Sequence, residues 1–184
     1  MLREQLVSRE LNPLLNSLPA KFEQIHNYQV DAIDEIISHY QAGYRMVVLE
    51  APTGSGKSLI AECVRRLLKT RATYVCHNKE LQAQFDREFD YAKVLYGRAN
   101  YKPTDYHSEF VSCEDCDWSE EKETCSLCRY RDKCPYVVAK NRAIHSPIPI
   151  LNSAYWLNEV MGKRSRFANT GLCILDEATP LSKY

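Results

Sequence analysis

The chain has 184 residues, of which 45% are hydrophobic and 26% are charged, so wholesale disorder is excluded and one ordinary domain with a core is expected. Lys and Arg together number 24, as do Asp and Glu, and this neutral balance excludes a polybasic tail but not a local basic patch. No apolar run reaches the roughly 20 residues that span a bilayer, and the first residues lack the apolar centre of a secretory signal.

Apolar periodicity predicts alternating helices and strands along the chain. The first helix covers 27–42 and ends at Gly43, and the run 46–49 then has the pattern of a buried parallel strand. Further elements are helices near 57–68, 79–90, 136–140 and 154–161, and strands at 72–76, 94–96, 148–151 and 172–175. Pro149 favours an edge or irregular position for its strand, whereas 172–175 is expected to be buried. The alternation predicts an α/β fold with a parallel sheet covered on both faces.

Residues 51–58 have the composition of a phosphate-binding loop between a predicted strand and a predicted helix. Glycines at positions 54 and 56 let the backbone N–H groups turn inward, where they and the helix N-terminus attract phosphate oxygens. Lys57 adds a positive charge and the Ser58 hydroxyl is a ligand for Mg²⁺. The alternative is a chance glycine-rich turn, which the ordered context disfavours. The candidate nucleotide-binding residues are Thr53, Gly54, Ser55, Gly56, Lys57 and Ser58.

Two acidic residues follow the predicted strand 172–175. A carboxylate at a strand end is suited to anchor the Mg²⁺ of a bound nucleotide, and we assign this role to Asp176. Glu177 would then orient and activate the attacking water. Alone, this acidic pair equally fits a simple strand-to-loop turn.

Two residues that precede the phosphate loop in the chain are candidates for adenine binding. Gln29 carries an amide that both donates and accepts, as adenine recognition requires, and Phe22 is the accompanying aromatic. The alternative is that Gln29 is exposed on the first helix and Phe22 belongs to the core.

The cysteine-rich segment predicts a metal site. Two Cys-x-x-Cys pairs match a tetrahedral zinc site, and cysteine thiolates equally hold a four-iron cluster, so spacing leaves both open and one thiol spare. The five candidates are Cys113, Cys116, Cys125, Cys128 and Cys134. The other cysteines lie in apolar patterns and are expected in the core: Cys63, Cys76 and Cys173.

Charge is uneven within this segment, with an acidic first half and a basic second half. The basic half contains Arg129, Tyr130 and Arg131, a combination suited to a phosphate backbone and a stacked base. A solvated surface explains the same residues equally well.

The ordered motifs resemble the iron–sulfur helicases of superfamily 2, the XPD/DinG group, over roughly residues 20–184. The order is the phosphate loop, the stretch 74–85 (Tyr-Val-Cys-His-Asn-Lys-Glu-Leu-Gln-Ala-Gln-Phe), the cysteine cluster and Asp-Glu-Ala. Further matches are Gly-Arg-Ala-Asn-Tyr at 97–101, Cys-Pro-Tyr at 134–136 and Asn-Ser-Ala-Tyr-Trp-Leu at 152–157.

This resemblance implies a RecA-like motor lobe with a [4Fe-4S] cluster in an insertion that separates strands. It implies Cys125, Cys128 and Cys134 as ligands, Gln29 as part of an adenine-reading motif, and Leu81 and Gln84 near single-stranded DNA. A family ligand position is occupied by Lys102-Pro103, so the fourth ligand would be Cys113 or Cys116, or the metal would be different. Two other departures are Asn27, where an arginine is common, and Thr179, where the family has histidine.

The expected organisation has three parts: the first half of the lobe at 1–96, the iron–sulfur insertion at 97–140 and the second half of the lobe at 141–184. The chain ends soon after Asp176, so we expect a first motor lobe without its second RecA-like lobe, as a truncated product, a fragment or half of a split system. The expected function is an ATP- and Mg²⁺-dependent DNA helicase, 5′-to-3′ by resemblance, acting on single-stranded or forked DNA. The alternatives are a non-catalytic nucleic-acid-binding module and a zinc-bearing nucleotide hydrolase. The expected location is the cytoplasm, or the nucleus in a eukaryote, without a membrane.

Overall fold

The computed structural model describes residues 13, 17–19, 22, 24–103, 111–115, 130–161, 166–167 and 169–176. The chain divides into two compact units, Met1–Thr70 and Arg71–Tyr184. Within the described ranges, no helix is both long enough and apolar enough to cross a membrane.

The first unit contains two helices that pack on each other, α1 (Asn27–Gln41) and α2 (Lys57–Leu67). Ile33 and Ile37 lie one turn apart on α1 and are buried, as helical spacing predicts. The buried side chains of α2 are Leu59, Ile60, Glu62, Cys63 and Val64. The phosphate loop lies immediately before α2, so the packed apolar faces hold the helix N-terminus in place.

The second unit is built on a parallel four-stranded sheet: β1 (Ala72–Cys76), β2 (Ala92–Leu95), β3 (Ile148–Asn152) and β4 (Leu172–Leu175). The strand order is β2-β3-β1-β4, and each neighbouring pair is parallel. This confirms the predicted α/β class with a parallel sheet. Every residue of β1 is buried, as expected of a central strand with apolar side chains on both faces.

Three helices pack against this sheet: α3 (Lys79–Glu88), α4 (Pro135–His145) and α5 (Ser153–Met161). Short 3₁₀ turns lie at Arg98–Asn100 and Arg131–Lys133. The Asn78 side chain accepts a hydrogen bond from the Leu81 backbone N–H and so begins α3 directly after β1. At the end of this helix Phe85 and Phe89 are both buried in the core, and their ring centroids lie 4.7 Å apart.

The predicted strand at 46–49 is wrong in this structure. Residues 46–50 have no regular secondary structure, and Met46 and Val48 are 82% and 83% exposed. A strand requires a hydrogen-bonded neighbour, and the described residues of the first unit form helices and loops. Among the described residues of the first unit, the apolar run therefore has no neighbouring strand with which to pair.

The sheet also corrects two positions expected from sequence. Pro149 lies in β3, which pairs with both β1 and β2 and is therefore not an edge strand. Its ladder with β1 starts only at Ile150, so the missing proline N–H is accommodated at the strand start. At the observed edge, β4 is only partly buried rather than buried, and Cys173 is exposed rather than in the core. Cys63 and Cys76 are buried as predicted.

Candidate functional site

The phosphate loop turns through two glycines with positive φ angles. Gly54 has φ +82° and Gly56 has φ +80°, values that side-chain-bearing residues rarely adopt. Gly56 is the residue before α2, and its carbonyl accepts the Ile60 N–H at 3.0 Å, which starts the helix. Thr53 is exposed and Ser58 is partly buried in the first turn. The loop thus places backbone donors and a helix N-terminus together, an arrangement suited to an anion.

Lys57 is the first residue of α2, and its ammonium group bends back onto the loop. Its Nζ donates to the carbonyl oxygens of Ala51 at 3.1 Å and Pro52 at 3.0 Å. The positive charge is therefore held at the mouth of the loop by two acceptors that a phosphate group would replace.

Gln29 connects α1 to the same loop. Its Nε2 donates to the Ser55 carbonyl at 2.9 Å, and its Oε1 accepts the His26 backbone N–H at 2.9 Å. The Tyr28 hydroxyl also donates to the Ser55 carbonyl, at 3.2 Å. Gln29 is 4% exposed, so the alternative of an exposed Gln29 is wrong. Both ends of its amide already have protein partners, and adenine recognition through it stays a prediction. Phe22 is partly buried.

Asp176 lies directly after β4 in the second unit. Its backbone N–H donates to the Val75 carbonyl at 2.8 Å, which continues the sheet ladder by one residue. The buried Tyr74 donates its hydroxyl to Asp176 Oδ2 at 2.5 Å. Asp176 is thus held through its backbone by Val75 and through its carboxylate by Tyr74, at the carboxyl end of the sheet, where ligands of parallel α/β folds bind. The sequence analysis assigned no role to Tyr74, because an aromatic residue within a buried strand is expected to belong to the core.

An open groove of about 390 Å³ lies at the start of α3 in the second unit. Lys79 contributes an ammonium group that hydrogen-bonds Asn100, and Gln84, one turn from Glu80, is exposed. Leu81, the other predicted DNA-contacting residue, is partly buried. The groove is lined by Lys79, Glu80, Ala83, Tyr96 and Asn100. Sequence reasoning assigned no role to Lys79, Tyr96 or Asn100, although all lie in or beside quoted motifs.

Cys113 and Cys134 belong to one apolar cluster, here called the cysteine-side cluster. Its buried members are Leu95, Cys113, Tyr136, Val137, Ala143, Leu151 and Phe167, and packed against them are Tyr101, Cys134, Ala139, Ile144, Tyr155 and Trp156. The Cys113 backbone N–H donates to the Tyr101 carbonyl at 2.8 Å, which ties it to the Gly-Arg-Ala-Asn-Tyr motif. Two predicted ligands that are distant in sequence therefore lie in one cluster.

A polar network crosses the cysteine-side cluster. The Tyr136 and Tyr155 hydroxyls lie 3.0 Å apart, and Tyr155 also donates to Glu159 Oε1 at 3.1 Å. Lys140 completes an ion pair with Glu159 at 2.9 Å, and the Arg98 guanidinium lies 5.0 Å from the Tyr136 ring centroid. Burial, followed by Tyr136 and Glu159, raises the pKa of Tyr155, so its hydroxyl stays a proton donor. Three separate sequence motifs thus meet at one packed site.

Other predicted residues have varied placements. Tyr130 and Arg131 are partly buried beside the 3₁₀ turn before α4. Glu177, Cys116, Cys125, Cys128 and Arg129 lie outside the described residues. Within the described ranges, no group of three His, Cys, Asp or Glu side chains is arranged to hold a metal ion.

A known protein family accounts for the parallel sheet and the phosphate loop together. A family model described as "Type III restriction enzyme, res subunit" matches residues 23–179. The chain therefore belongs to this family, whose domain is a helicase-like motor domain of superfamily 2. No curated protein and no solved structure is significantly similar to the chain. The family supports the superfamily 2 part of the resemblance, and the XPD/DinG group stays a prediction.

Proposed function

We propose that the chain is the nucleotide-binding lobe of an ATP-dependent DNA helicase. The phosphate loop carries this proposal, because its two positive-φ glycines, helix N-terminus and Lys57 make an arrangement suited to an anion within the family match. On binding, phosphate oxygens replace the Ala51 and Pro52 carbonyls as acceptors for Lys57. The rest of the phosphate-binding loop consists of Thr53, Gly54 and Ser55.

The same proposal assigns Mg²⁺ to Ser58 and Asp176. A hydroxyl and a carboxylate are the oxygen ligands that Mg²⁺ takes, and the family match includes both residues. The ion would neutralise charge on the phosphates when bound. Glu177 would orient the water that attacks the terminal phosphorus. The second lobe expected of a superfamily 2 helicase would be needed for turnover.

Replacing Lys57 tests nucleotide binding directly. Lys57→Ala removes a charged donor to phosphate worth about 1.5–3 kcal/mol, so binding of a fluorescent ATP analogue should weaken about 10- to 100-fold. Lys102→Ala is the matched control, because this lysine is exposed and outside the loop. Equal affinity in Lys57→Ala and in the unmodified chain would overturn the nucleotide assignment.

Single-stranded DNA is the proposed polymer. The groove beside Gln84 supports this, because Lys79 offers a positive charge and Tyr96 an aromatic ring within one open surface. Lys79→Ala should weaken binding of a single-stranded oligonucleotide and lower the salt dependence by about one phosphate contact. Lys69→Ala serves as the charge control. DNA-stimulated ATP turnover by the chain alone would exclude the alternative of a non-catalytic binding module.

The cysteine-rich segment is proposed to bind a metal, as a [4Fe-4S] cluster or as zinc. Cys113 and Cys134 support this by lying in one apolar cluster, since thiolates shielded from water suit either group. Protein purified without oxygen should contain either about four irons with a broad band near ~400 nm, or about one zinc without colour. Cys113→Ala and Cys134→Ala should lower the metal content, with Cys63→Ala as the control. Metal-free, folded protein would overturn this part of the proposal.

A further inference from the structure

The side chain of Tyr74 ends on the carboxylate of Asp176. In the parallel β1–β4 ladder Tyr74 lies opposite Ile174, and Asp176 follows two residues later on the same face. The diagonal from Tyr74 to Asp176 is the length that a tyrosine side chain spans, and its hydroxyl donates to Oδ2 at 2.5 Å. A hydrogen bond from a hydroxyl to a carboxylate is charge-assisted when the carboxylate is ionised.

The Tyr74 ring is fixed independently of this bond. It is 3% exposed, and its centroid lies 3.8 Å from that of Phe85, with an angle of 32° between the rings. Phenylalanine would provide the same packing and would avoid burying a hydroxyl. A buried hydroxyl requires a partner, and the Asp176 carboxylate provides one for Tyr74.

The carboxylate retains one oxygen for another ligand. Tyr74 is the side-chain hydrogen-bond partner of Asp176 among the described residues, and it engages Oδ2. The backbone N–H of Asp176 is separately bound to Val75. Two contacts from β1 therefore hold the backbone of Asp176 and its Oδ2 atom, while no described side chain hydrogen-bonds Oδ1.

We infer that Tyr74 is a positioning residue that orients Asp176, so that Oδ1 is presented to the Mg²⁺ of a bound nucleotide. This inference rests on the proposed function. Groups that hydrogen-bond a metal ligand fix its orientation, and their removal typically costs 10- to 100-fold in metal affinity. Tyr74 would touch neither the nucleotide nor the metal and would act through Asp176 alone.

Tyr74→Phe tests this role in the full chain. We would titrate Mg²⁺ at a fixed concentration of a fluorescent ATP analogue and also measure its binding in EDTA. The Mg²⁺ concentration for half-maximal binding should rise about 10-fold, while the affinity in EDTA stays unchanged. A structural defect would instead change both measurements. Phe85→Leu is the control, because it disturbs the ring packing and keeps the hydroxyl.

A double variant separates the Asp176 pathway from other effects. In an Asp176→Asn background, Tyr74→Phe should produce no further change in the Mg²⁺ requirement, since the two residues act as one unit. An unchanged Mg²⁺ requirement in Tyr74→Phe would overturn the positioning role and leave the proposed function standing. Absence of nucleotide binding by the unmodified chain would instead overturn the proposed function and this inference with it.

Discussion

The amide nitrogen of Gln29 lies so close to Gly56 that a Cβ atom on Gly56 would come within 2.3 Å of it. This nitrogen donates to the Ser55 carbonyl, so α1 closes over the phosphate loop at the position where the backbone carries no side chain. Position 56 therefore requires glycine for two reasons: the backbone has a positive φ angle, and the Gln29 side chain leaves no space for a Cβ atom.

Gly56→Ala should destabilise the first unit and weaken nucleotide binding more than Gly54→Ala. Both glycines have φ near +80°, but a Cβ on Gly54 meets nothing within 4 Å. Gly54→Ala should therefore lower the free energy of unfolding only by the backbone strain, about 1–3 kcal/mol, whereas Gly56→Ala must also displace the Gln29 side chain. Urea unfolding and titration of an ATP analogue measure the two effects. Equal losses in the two variants would show that the Gln29 contact does not matter.

Gln29→Glu should weaken the loop contact while keeping the start of α1. The carboxylate retains an acceptor for the His26 N–H but has no donor for the Ser55 carbonyl. Two oxygens would then face each other in a buried site, at a cost of about 1–3 kcal/mol. Helix content by circular dichroism should stay constant as the unfolding midpoint falls. Tyr28→Phe should lower the unfolding midpoint less, because the hydrogen bond from the Tyr28 hydroxyl to the Ser55 carbonyl is longer and exposed.

Glu62→Gln should destabilise the chain by about 3–5 kcal/mol, because it leaves two guanidinium groups without their anion. Glu62 is fully buried and accepts from Arg65 Nε at 2.7 Å and Arg66 Nε at 2.5 Å. Glu35→Gln is the matched control, since the Glu35–His39 pair is exposed and 3.6 Å long. Thermal unfolding should show a large loss for Glu62→Gln and little change for Glu35→Gln. Similar midpoints would show that the buried ion pairs contribute little.

The Cys63 thiol should make the chain less stable at alkaline pH. Burial, reinforced by the neighbouring Glu62, raises the pKa of Cys63 to about 12, against an ordinary value of 9.0. Above about pH 9 the unfolded chain loses this proton and the folded chain keeps it, so stability falls until the pH reaches about 12.

Cys63→Ala should remove this dependence. The difference in urea midpoint between pH 7.5 and pH 10 should shrink by an amount equivalent to roughly 1 kcal/mol, because one pKa unit corresponds to about 1.4 kcal/mol. An identical pH dependence in Cys63→Ala would contradict the raised pKa. The measurement at pH 7.5 corrects for the small cavity that the substitution leaves.

Local patterns predicted the elements that carry their own signals. The strand predicted at 72–76 has the limits observed for β1. A short apolar run between the end of a helix and a polar turn is too short for a helix and favours a strand. The glycines at 54 and 56 predicted a tight turn, and their positive φ angles fit it, whereas phosphate binding there stays a prediction. The first helix ends one residue earlier than predicted, at Gln41.

Relations between distant residues were not readable from the sequence. The run 46–49 has strand composition, but strand formation depends on a neighbour that no local pattern contains. Cys173 has the apolar setting of a core residue, yet its exposure follows from the edge position of β4. The bond between Tyr74 and Asp176 depends on strand order, which the sequence does not specify.

The two hydrogen bonds from Lys57 to the Ala51 and Pro52 carbonyls also affect how a dissociation constant for a phosphate ligand is interpreted. Under the proposed function, a nucleotide would not meet an unpaired ammonium group, because each phosphate oxygen would compete with a carbonyl already present. The free energy of nucleotide binding would then be a difference between two sets of acceptors, and the loss of the two lysine–carbonyl hydrogen bonds would raise every dissociation constant by the same factor. This cost is the same for every phosphate ligand and cancels from the ratio of two affinities, so a preference for triphosphates over monophosphates would have to come from the additional contacts of the longer phosphate chain.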